Sequence, residues 1–349
     1  MIKMKLGIVG FGFMGHCDAD MMKTFDEIEL VAVADTNPDM LTDAPEGVET
    51  YSSLDEMLKH ADIDVVMIST PNPSHIEMVE KAAAAKKHII CEKPAAMTVA
   101  EFDKMMKVTK ENGVLFTVHQ QRRFDKDYAI MKKVYDEGGL GDVYVIKSQL
   151  FGVNGNMHDW HIYPEMGGGM LYDWGVHLID QMLCMVDSEI DSLYADLRNV
   201  INENVDDYFH IILKFKNGVT GEIELGSYYL QHGRFWFMGG NKGSAMMDNG
   251  FECSGKIVKT TRLLENVPGK ITMSAAGPTR SFGPVAEGVL IEEPLPEVSV
   301  AHRNYFEQFL RVLDGTEEIF VKPEQVRRVL AVMEAVRESQ RTGNAIRFE

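Results

Sequence analysis

The sequence is poor in the features that mark secreted, disulfide-stapled or membrane-spanning proteins. It has four cysteines among 349 residues, and these lie far apart, at Cys17, Cys91, Cys184 and Cys253. Because no two of them form a Cys-x-x-Cys pair, we expect free thiols rather than a disulfide framework. No apolar run approaches the length of a membrane span, and the short run near the first residues is broken by Gly7 and Gly10, so we expect neither a membrane helix nor a signal peptide. These absences predict a cytoplasmic protein.

Positive charge is also scarce, and it is nowhere concentrated in a run. The chain carries 35 Lys and Arg against 53 Asp and Glu, a formal net charge of −18. Such a chain repels phosphate backbones and anionic lipid surfaces, so we expect neither nucleic acid nor a membrane as a partner. Its 45% hydrophobic and 25% charged residues are typical of a globular protein, and its length allows two ordinary domains.

Short apolar strands alternate with helices over roughly the first third of the chain. We predict strands at 5–9, 30–34, 64–69, 88–91 and 114–118, and helices at 15–25, 75–85 and 100–112. Continuous apolar strands in this alternation pair in parallel and are covered by helices on both faces. The pattern therefore predicts an α/β domain with a doubly wound parallel sheet, which we place at residues 1–122.

After residue 122 the pattern changes to longer strands of alternating polarity. Strands predicted at 206–216 and 219–225 flank Asn217-Gly218, which is a strong hairpin signal. Further strands are predicted at 234–238 and 244–247, helices at 172–186, 304–313 and 324–341, and loops at 265–296. Residues 123–349 are therefore predicted to form an α+β domain with a large, mostly antiparallel open sheet and helices on one face.

The first predicted strand runs into a glycine-rich loop that opens a helix, Gly10-Phe11-Gly12-Phe13-Met14-Gly15. Asp35 lies 20 residues after this loop, at the end of the second strand, and in that context the loop is typical of a Rossmann dinucleotide site. The helix N-terminus would bind the pyrophosphate, and the carboxylate would bind the adenosine ribose. Thr36 and Asn37 follow in place of an arginine or lysine, so NAD is favoured over NADP. A glycine turn that binds nothing is the alternative.

Two later strands end in loops that would face the cofactor, because ligands of open α/β sheets bind beyond the carboxyl ends of strands. The first loop supplies the candidates Thr70, Pro71, Asn72 and His75. A proline turn that caps the next helix is the alternative interpretation. The second loop supplies Lys93, between Glu92 and Pro94. Lys93 could bind the nicotinamide ribose or a substrate hydroxyl, and a solvated Glu-Lys pair is the alternative.

Asp173 and His177 are candidates for the catalytic group, and they lie in a predicted helix of the second domain. Residues four apart on a helix share one face, so the carboxylate would contact the imidazole, orient it and stabilise its protonated form. Such a pair suits a general base that removes a proton from a secondary alcohol. A helix-capping aspartate beside a buried histidine is the alternative.

Taken in order, these segments resemble the Gfo/Idh/MocA family, which includes glucose–fructose oxidoreductase and inositol dehydrogenase. The matching segments are GFGFMG with Asp35, STPNPSH from Ser69, Glu92-Lys93-Pro94, Gln121-Arg122-Arg123-Phe124, the run from Gly167 to His177, and the stretch from Pro323 to Gly343. The resemblance covers nearly the whole chain. Gln121 and His161 depart from it, standing where relatives commonly carry Asn and Arg, so it does not carry over the identity of the substrate.

The resemblance implies a metal-free catalytic group made of Lys93, Asp173 and His177. It adds Glu92 and Gln121 to the cofactor contacts. It also implies substrate contacts from Arg123, Trp160 and His161. His158 and His161, with Asp159 between them, do not change this, because the His-x-x-His spacing is loose for a metal site and no cysteine supports one. The family often associates through the second-domain sheet, so a homo-oligomer, a dimer or tetramer, is expected.

We therefore predict an NAD-dependent enzyme that oxidises a secondary hydroxyl of a sugar, cyclitol or glycoside to a ketone by hydride transfer. In this hypothesis the polyol lies between the domains, His177 takes the hydroxyl proton with support from Asp173, and Lys93 polarises the same oxygen. One alternative is an enzyme that holds NAD tightly and cycles it, for glycoside cleavage or sugar–sugar hydride transfer. The other is a non-catalytic NAD-binding sensor.

Overall fold

The computed structural model describes residues 3–152, 155, 157–231, 233–263, 271–280 and 287–348. Its first part contains a six-stranded sheet made of β1 (Met4–Val9), β2 (Ile28–Ala34), β3 (Glu49–Tyr51), β4 (Val65–Ile68), β5 (His88–Cys91) and β6 (Phe116–Val118). All neighbouring strands pair in parallel, in the order β3-β2-β1-β4-β5-β6. The predicted doubly wound parallel sheet is confirmed.

The helices of this first part are α1 (Phe13–Met22), α2 (Leu54–His60), α3 (His75–Ala84) and α4 (Val99–Asn112). Every residue of β4 is buried, which explains why the central strands are continuous apolar runs in the sequence. Side-chain caps fix two helix starts, since Ser53 accepts from the Glu56 N–H and Thr98 from the Glu101 N–H. The strand order reverses between β1 and β4, so the loops after these two strands open the crevice in which such folds bind ligands.

The second part is built on a nine-stranded sheet and a separate hairpin. The strands in chain order are β7 (Val143–Phe151), β8 (Ile190–Arg198), β9 (Tyr208–Phe215), β10 (Thr220–Gly226), β11 (Trp236–Gly240), β12 (Gly243–Asn249), β13 (Ser254–Thr260), β14 (Ile271–Ser274), β15 (Gly277–Arg280), β16 (Leu290–Pro294) and β17 (Ile346–Arg347). The large sheet has the order β16-β13-β12-β11-β7-β10-β9-β8-β17, and β14 pairs with β15. Within the described ranges only β7 and β10 pair in parallel in the large sheet, so the mostly antiparallel sheet is confirmed.

The helices of the second part are α5 (Lys126–Asp136), α6 (Val176–Met185), α7 (Arg303–Leu313) and α8 (Pro323–Thr342). One π-helical turn, Leu171–Gly175, leads directly into α6. The predicted hairpin is confirmed, since Asn217 and Gly218 join β9 to β10 and Gly218 has a φ of +91°. The oligomer that we expect through this sheet stays a prediction.

Several elements differ from the sequence prediction. The segment 265–296, predicted as loops, contains β14, β15 and β16, while residues 265–270 and 281–286 lie outside the described part of the chain. The helices α2 and α5 and the strands β3, β8, β13 and β17 were missed. In α2 only Leu54 and Met57 are buried, so the helical hydrophobic period is too short to stand out from its charged neighbours.

The two parts share packing around the last helices. α8 packs against α4 and β6 as well as against β8, and Tyr305 and Phe306 of α7 pack on the ring of His119, which follows β6. The division at residue 122 therefore stays a prediction. All four cysteines are unpaired thiols, as expected. No helix in the described ranges is long and apolar enough to cross a membrane.

Candidate active site

A cleft of about 760 Å³ opens between the carboxyl edge of the parallel sheet and the second part of the chain. Loops after β1, β2, β4, β5 and β6 form one wall, and the π turn with the start of α6 forms part of the other. The predicted site residues that line it are Gly10, Gly12, Phe13, Met14, Asp35, Thr36, Thr70, Pro71, Asn72, Glu92, Lys93, Gln121, Trp160, His161, Asp173 and His177. The structure thus brings most of the candidates from both parts of the chain to one cleft.

Each glycine of the first loop meets a different steric requirement. Gly10 has a φ of +87°, and a Cβ there would lie 2.5 Å from the carbonyl of Ser69 in the loop after β4. A Cβ at Gly15 would lie 2.3 Å from the Gly10 oxygen, so the helix can pack tightly only without a side chain. Gly12 lines the cleft with open space around its Cβ position, so a ligand can approach the backbone at the start of α1.

The Asp35 carboxylate lies at the end of β2, on the rim of the cleft. One oxygen accepts from the Phe11 N–H at 2.8 Å and the other from the Asn37 N–H at 2.8 Å. Each oxygen keeps a further lone pair for a ligand hydroxyl. Thr36 and Met40 line the cleft beside it, and none of the described lining residues near Asp35 is a lysine or arginine. This end of the cleft therefore offers hydrogen-bond acceptors to the ribose of a dinucleotide.

One buried acceptor on the cleft has no partner. Gln121 lines the cleft, and its Oε1 is buried without a hydrogen bond to any described residue. A buried carbonyl oxygen without a hydrogen-bond donor lowers the stability of the folded protein, and a ligand that donates to it removes this loss. With the open backbone at Gly12 and the carboxylate of Asp35, these residues fit a nicotinamide dinucleotide, whose carboxamide offers such a donor.

Lys93 joins the two walls of the cleft. Its Nζ donates to Oδ1 of Asp173 at 3.0 Å and to the backbone oxygen of Asp173 at 2.9 Å. The two side chains are 14% and 27% exposed, so water screens this ion pair only in part. The neighbouring Glu92 is buried, accepts from the Lys93 N–H at 3.1 Å and binds Nδ1 of His119 at 2.5 Å. These contacts hold the loop after β5 in place.

His177 lines the cleft from α6, and its ring is bound by Gln120 rather than by Asp173. The distance from His177 Nδ1 to Gln120 Oε1 is 3.1 Å, and both side chains are buried. The predicted Asp173–His177 pair is replaced by the Lys93–Asp173 pair. Residues 171–175 form a π turn, whose wider hydrogen-bond pattern breaks the four-residue spacing on which the prediction depended.

The imidazole of His177 lies in a cationic, dry environment. Burial lowers its pKa well below 6.5, and the charges of Lys93 and Arg122 lower that pKa further. The ring is therefore neutral at neutral pH. A neutral imidazole has one ring nitrogen that can accept a proton.

Three predicted cofactor residues lie behind the cleft wall rather than in it. The His75 ring is fully buried and bridges the backbone oxygens of Thr70 and Pro94, at 2.7 and 3.1 Å, so it braces the two loops. The Phe11 side chain is also fully buried. Its backbone N–H and the close packing of Gly15 shape the loop from within.

Arg123, predicted to bind substrate, points into the interior. Its guanidinium donates to both carboxylate oxygens of Asp180 at 2.7 Å, and both side chains are 2% exposed. Arg122 lines the cleft instead and lies 4.1 Å from the ring centroid of Trp174. Two adjacent arginines in a 3₁₀ turn give no sequence signal for which one faces inward. The other lining residues that the sequence did not single out are Asn37, Met40, Ser69, Pro94, Tyr172 and Trp174.

The histidines considered for a metal site, His158 and His161, have ring centroids 6.1 Å apart. His158 and Asp159 are exposed and pair with each other. Among the described residues, one other group combines metal-ligand side chains, namely the buried Asp18, Glu92 and His119. In this group, His119 Nδ1 and Glu92 Oε1 are joined by a hydrogen bond. Metal-free chemistry stays a prediction.

Fold and cleft together define an oxidoreductase with a dinucleotide-binding Rossmann domain. Residues 4–120 match the oxidoreductase family with an NAD-binding Rossmann fold, and residues 128–246 match the GFO/IDH/MocA C-terminal domain. The chain belongs to the GFO/IDH/MocA family of oxidoreductases, and the resemblance drawn from its motifs is confirmed.

Three relatives show what the chain is similar to. The chain is 33% identical to a solved NAD-binding protein from Listeria innocua, with 100% of both chains covered and a TM-score of 0.92. It is 28% identical to myo-inositol 2-dehydrogenase of Thermotoga maritima, over 63% of this chain and 68% of the relative. It is 24% identical to scyllo-inositol 2-dehydrogenase (NADP(+)) of Bacillus subtilis, over 99% and 96%. Because one relative's name specifies NADP, the choice of nucleotide depends on this chain's own residues.

Proposed function

We propose that this enzyme oxidises a secondary hydroxyl of a sugar, cyclitol or glycoside to a ketone, with NAD as the hydride acceptor. The contact between Lys93 and Asp173 carries the proposal, because it joins the cofactor edge of the parallel sheet to the turn that precedes His177. A small polyol between these walls would meet an ammonium, a carboxylate and an imidazole in one cleft.

In this reaction, Lys93 acts on the hydroxyl oxygen and His177 on its proton. Bound NAD supplies the nicotinamide carbon that accepts a hydride. Lys93 donates to the reacting hydroxyl oxygen and stabilises the negative charge that develops there. His177 accepts the hydroxyl proton on the ring nitrogen that Gln120 does not bind. Asp173 holds the Lys93 ammonium at the meeting point of the two walls.

The aromatic rim of the cleft supports a carbohydrate-like substrate. Trp160 stacks on His161 with ring centroids 3.7 Å apart, and Trp174 lies under Arg122. Aromatic faces cover apolar C–H groups while the polar side chains bind hydroxyls, which suits a cyclitol or a sugar. A relative named for myo-inositol points to the same class.

A panel of cyclitols, sugars and glycosides with NAD, followed by NADH absorbance, tests this function. We expect net NADH formation with at least one polyol. Turnover without net NADH, on nucleotide retained through purification, would instead support the redox-cycling alternative. Nucleotide binding with no turnover of any polyol would contradict the enzyme and support a sensor.

The choice of NAD depends on Asp35. Replacing Asp35 with alanine should lower kcat/KM for NAD by about 10- to 100-fold, because hydrogen bonds to a charged acceptor are lost. The value for NADP should stay level or rise, since the variant no longer repels a 2′-phosphate. Asp39→Asn is the matched control, because Asp39 is exposed and lies outside the cleft lining. A wild-type enzyme that prefers NADP, or an unchanged ratio in Asp35→Ala, would contradict the assignment.

The pH profile should remain flat on the acid side. His177 acts as a base only in its unprotonated form, and burial with the charges of Lys93 and Arg122 keeps its pKa well below 6.5. Activity therefore falls only as the pH drops well below that value. We expect kcat/KM for the polyol, measured over about pH 5 to 8, to stay constant near neutral pH and to fall only at the acid end of that range. An acid limb centred at or above pH 6.5 would exclude His177 in this environment as the base.

A further inference from the structure

Gln120 is the hydrogen-bond partner of His177, and nothing in the sequence singled it out. It lies two residues after β6, and its side chain is 1% exposed. Its Oε1 is 3.1 Å from His177 Nδ1, while its Nε2 is buried without a partner among the described residues. Within the described part of the chain, the amide thus makes one side-chain hydrogen bond, and that bond goes to the imidazole.

Stability alone does not explain an amide at this position. A buried N–H without a partner weakens the folded state, and an apolar side chain of similar size would fill the same space without that loss. Packing therefore favours leucine or methionine over Gln120. The bond to His177 is the contact that an apolar residue would remove.

An oxygen acceptor at Nδ1 decides which ring nitrogen carries the proton. Nδ1 must then carry the hydrogen, and Nε2 keeps its lone pair. Because His177 lines the cleft and Gln120 occupies Nδ1, that lone pair is the one available to a substrate hydroxyl. The opposite tautomer would carry hydrogen on Nε2 and could not accept the alcohol proton there.

We propose that Gln120 is a positioning residue, which holds His177 in the tautomer whose Nε2 accepts the substrate proton. The proposal rests on the dehydrogenase function above. It assigns to an amide from the first part of the chain the orienting role that the sequence suggested for Asp173.

The charges around the imidazole explain why its hydrogen-bond partner should be a neutral amide. Four groups that can carry positive charge lie near the ring, and each of them disfavours its protonated form when charged. They are Lys93 after β5, His119 and Arg122 on either side of Gln120 in the sequence, and His302 before α7. The Asp173 carboxylate is bound to Lys93 instead. An imidazolium at position 177 therefore gains no ion pair, and the accepted proton is not trapped. A carboxylate at position 120 would supply that ion pair.

Two variants separate positioning from packing. In Gln120→Leu we expect kcat to fall by about 100-fold, with KM for the polyol and for NAD within about twofold and a melting temperature equal to or above wild type. In Gln120→Glu we expect kcat to stay within about tenfold of wild type and the acid limb of the pH profile to move up by about one unit or more. Gln308→Glu adds the same charge on α7, outside the cleft lining, and should keep the wild-type profile.

Kinetic results that would overturn the proposal are clear. One is a Gln120→Leu enzyme that turns over at the wild-type rate. Another is an acid limb that is the same in Gln120→Glu, Gln308→Glu and wild type. If Gln120→Leu does not fold, the Gln120→Glu profile and the tautomer measurement still decide.

The tautomer can be measured without turnover. Nitrogen-15 shifts of labelled histidine, with His177→Phe to assign the signals, should show a protonated Nδ1 and a bare Nε2 in the wild type. A protonated Nε2 in an enzyme that oxidises polyols would overturn this inference alone. The expected tautomer in a protein that oxidises no polyol would instead defeat the proposed function and leave the hydrogen-bond assignment in place.

Discussion

Replacing His177 with alanine is expected to lower kcat for polyol oxidation by about 10²- to 10⁴-fold, because the variant lacks the group that accepts the hydroxyl proton. The glycine loop and Asp35 belong to the opposite wall, so the affinity for NADH should change by less than about threefold. Steady-state kinetics gives the first quantity, and titration of NADH fluorescence gives the second.

Lys93→Met tests the other half of the same assignment. It should also lower kcat strongly, since the developing charge on the oxygen loses its ammonium partner. Unlike His177→Ala, it removes a cation that depresses the pKa of the imidazole, so the acid limb should move to higher pH. His60→Ala, exposed on α2, serves as the matched control and should behave as wild type. Near-normal turnover in both site variants would exclude the two roles.

The cofactor half of the cleft could be predicted because its signals are local. The steric demands on Gly10 and Gly15 come from neighbouring loop atoms, and a strand–loop–helix context is enough to anticipate them. Asp35 follows from its place at the end of β2. For His75 and Phe11 the sequence predicted the correct loops, but their side chains are buried behind the cleft wall. The sequence does not show towards which side of a loop a side chain points.

The opposite wall depends on contacts that no local rule contains. The four-residue rule for Asp173 and His177 assumes an α-helix, and the π turn at residues 171–175 changes which residues share a face. Lys93 is 80 residues away in sequence and takes the carboxylate once the two walls meet. Gln120 lies two residues after a three-residue strand, between His119 and Gln121, and no local pattern in this polar run indicates a bond to the imidazole.

Arg122 and Arg123 also could not be told apart from the sequence. They are adjacent and identical, yet one lines the cleft and the other is buried. The Arg123 guanidinium binds Asp180 through two hydrogen bonds of 2.7 Å, and it also reaches the Phe320 oxygen at 3.1 Å and Gln325 at 2.9 Å. The Arg122 side chain is 29% exposed in the cleft. The first contacts join the turn after β6 to α6 and to the start of α8, so they stabilise the junction between the two parts of the chain.

Arg123→Ala should therefore lose stability, and Arg122→Ala should lose substrate affinity. Removing Arg123 leaves the Asp180 carboxylate buried and unpaired, which lowers the free energy of unfolding by about 3–5 kcal/mol and the melting temperature by about 5 °C or more. Removing Arg122 should raise KM for the polyol by about 10- to 100-fold, with the melting temperature within about 1 °C of wild type because its Asp125 contact is partly solvated. Calorimetry and kinetics below the unfolding range measure both. If Arg123→Ala keeps its stability but loses affinity for substrate, the interior ion pair is not what holds that side chain, and the original assignment of Arg123 to the substrate returns.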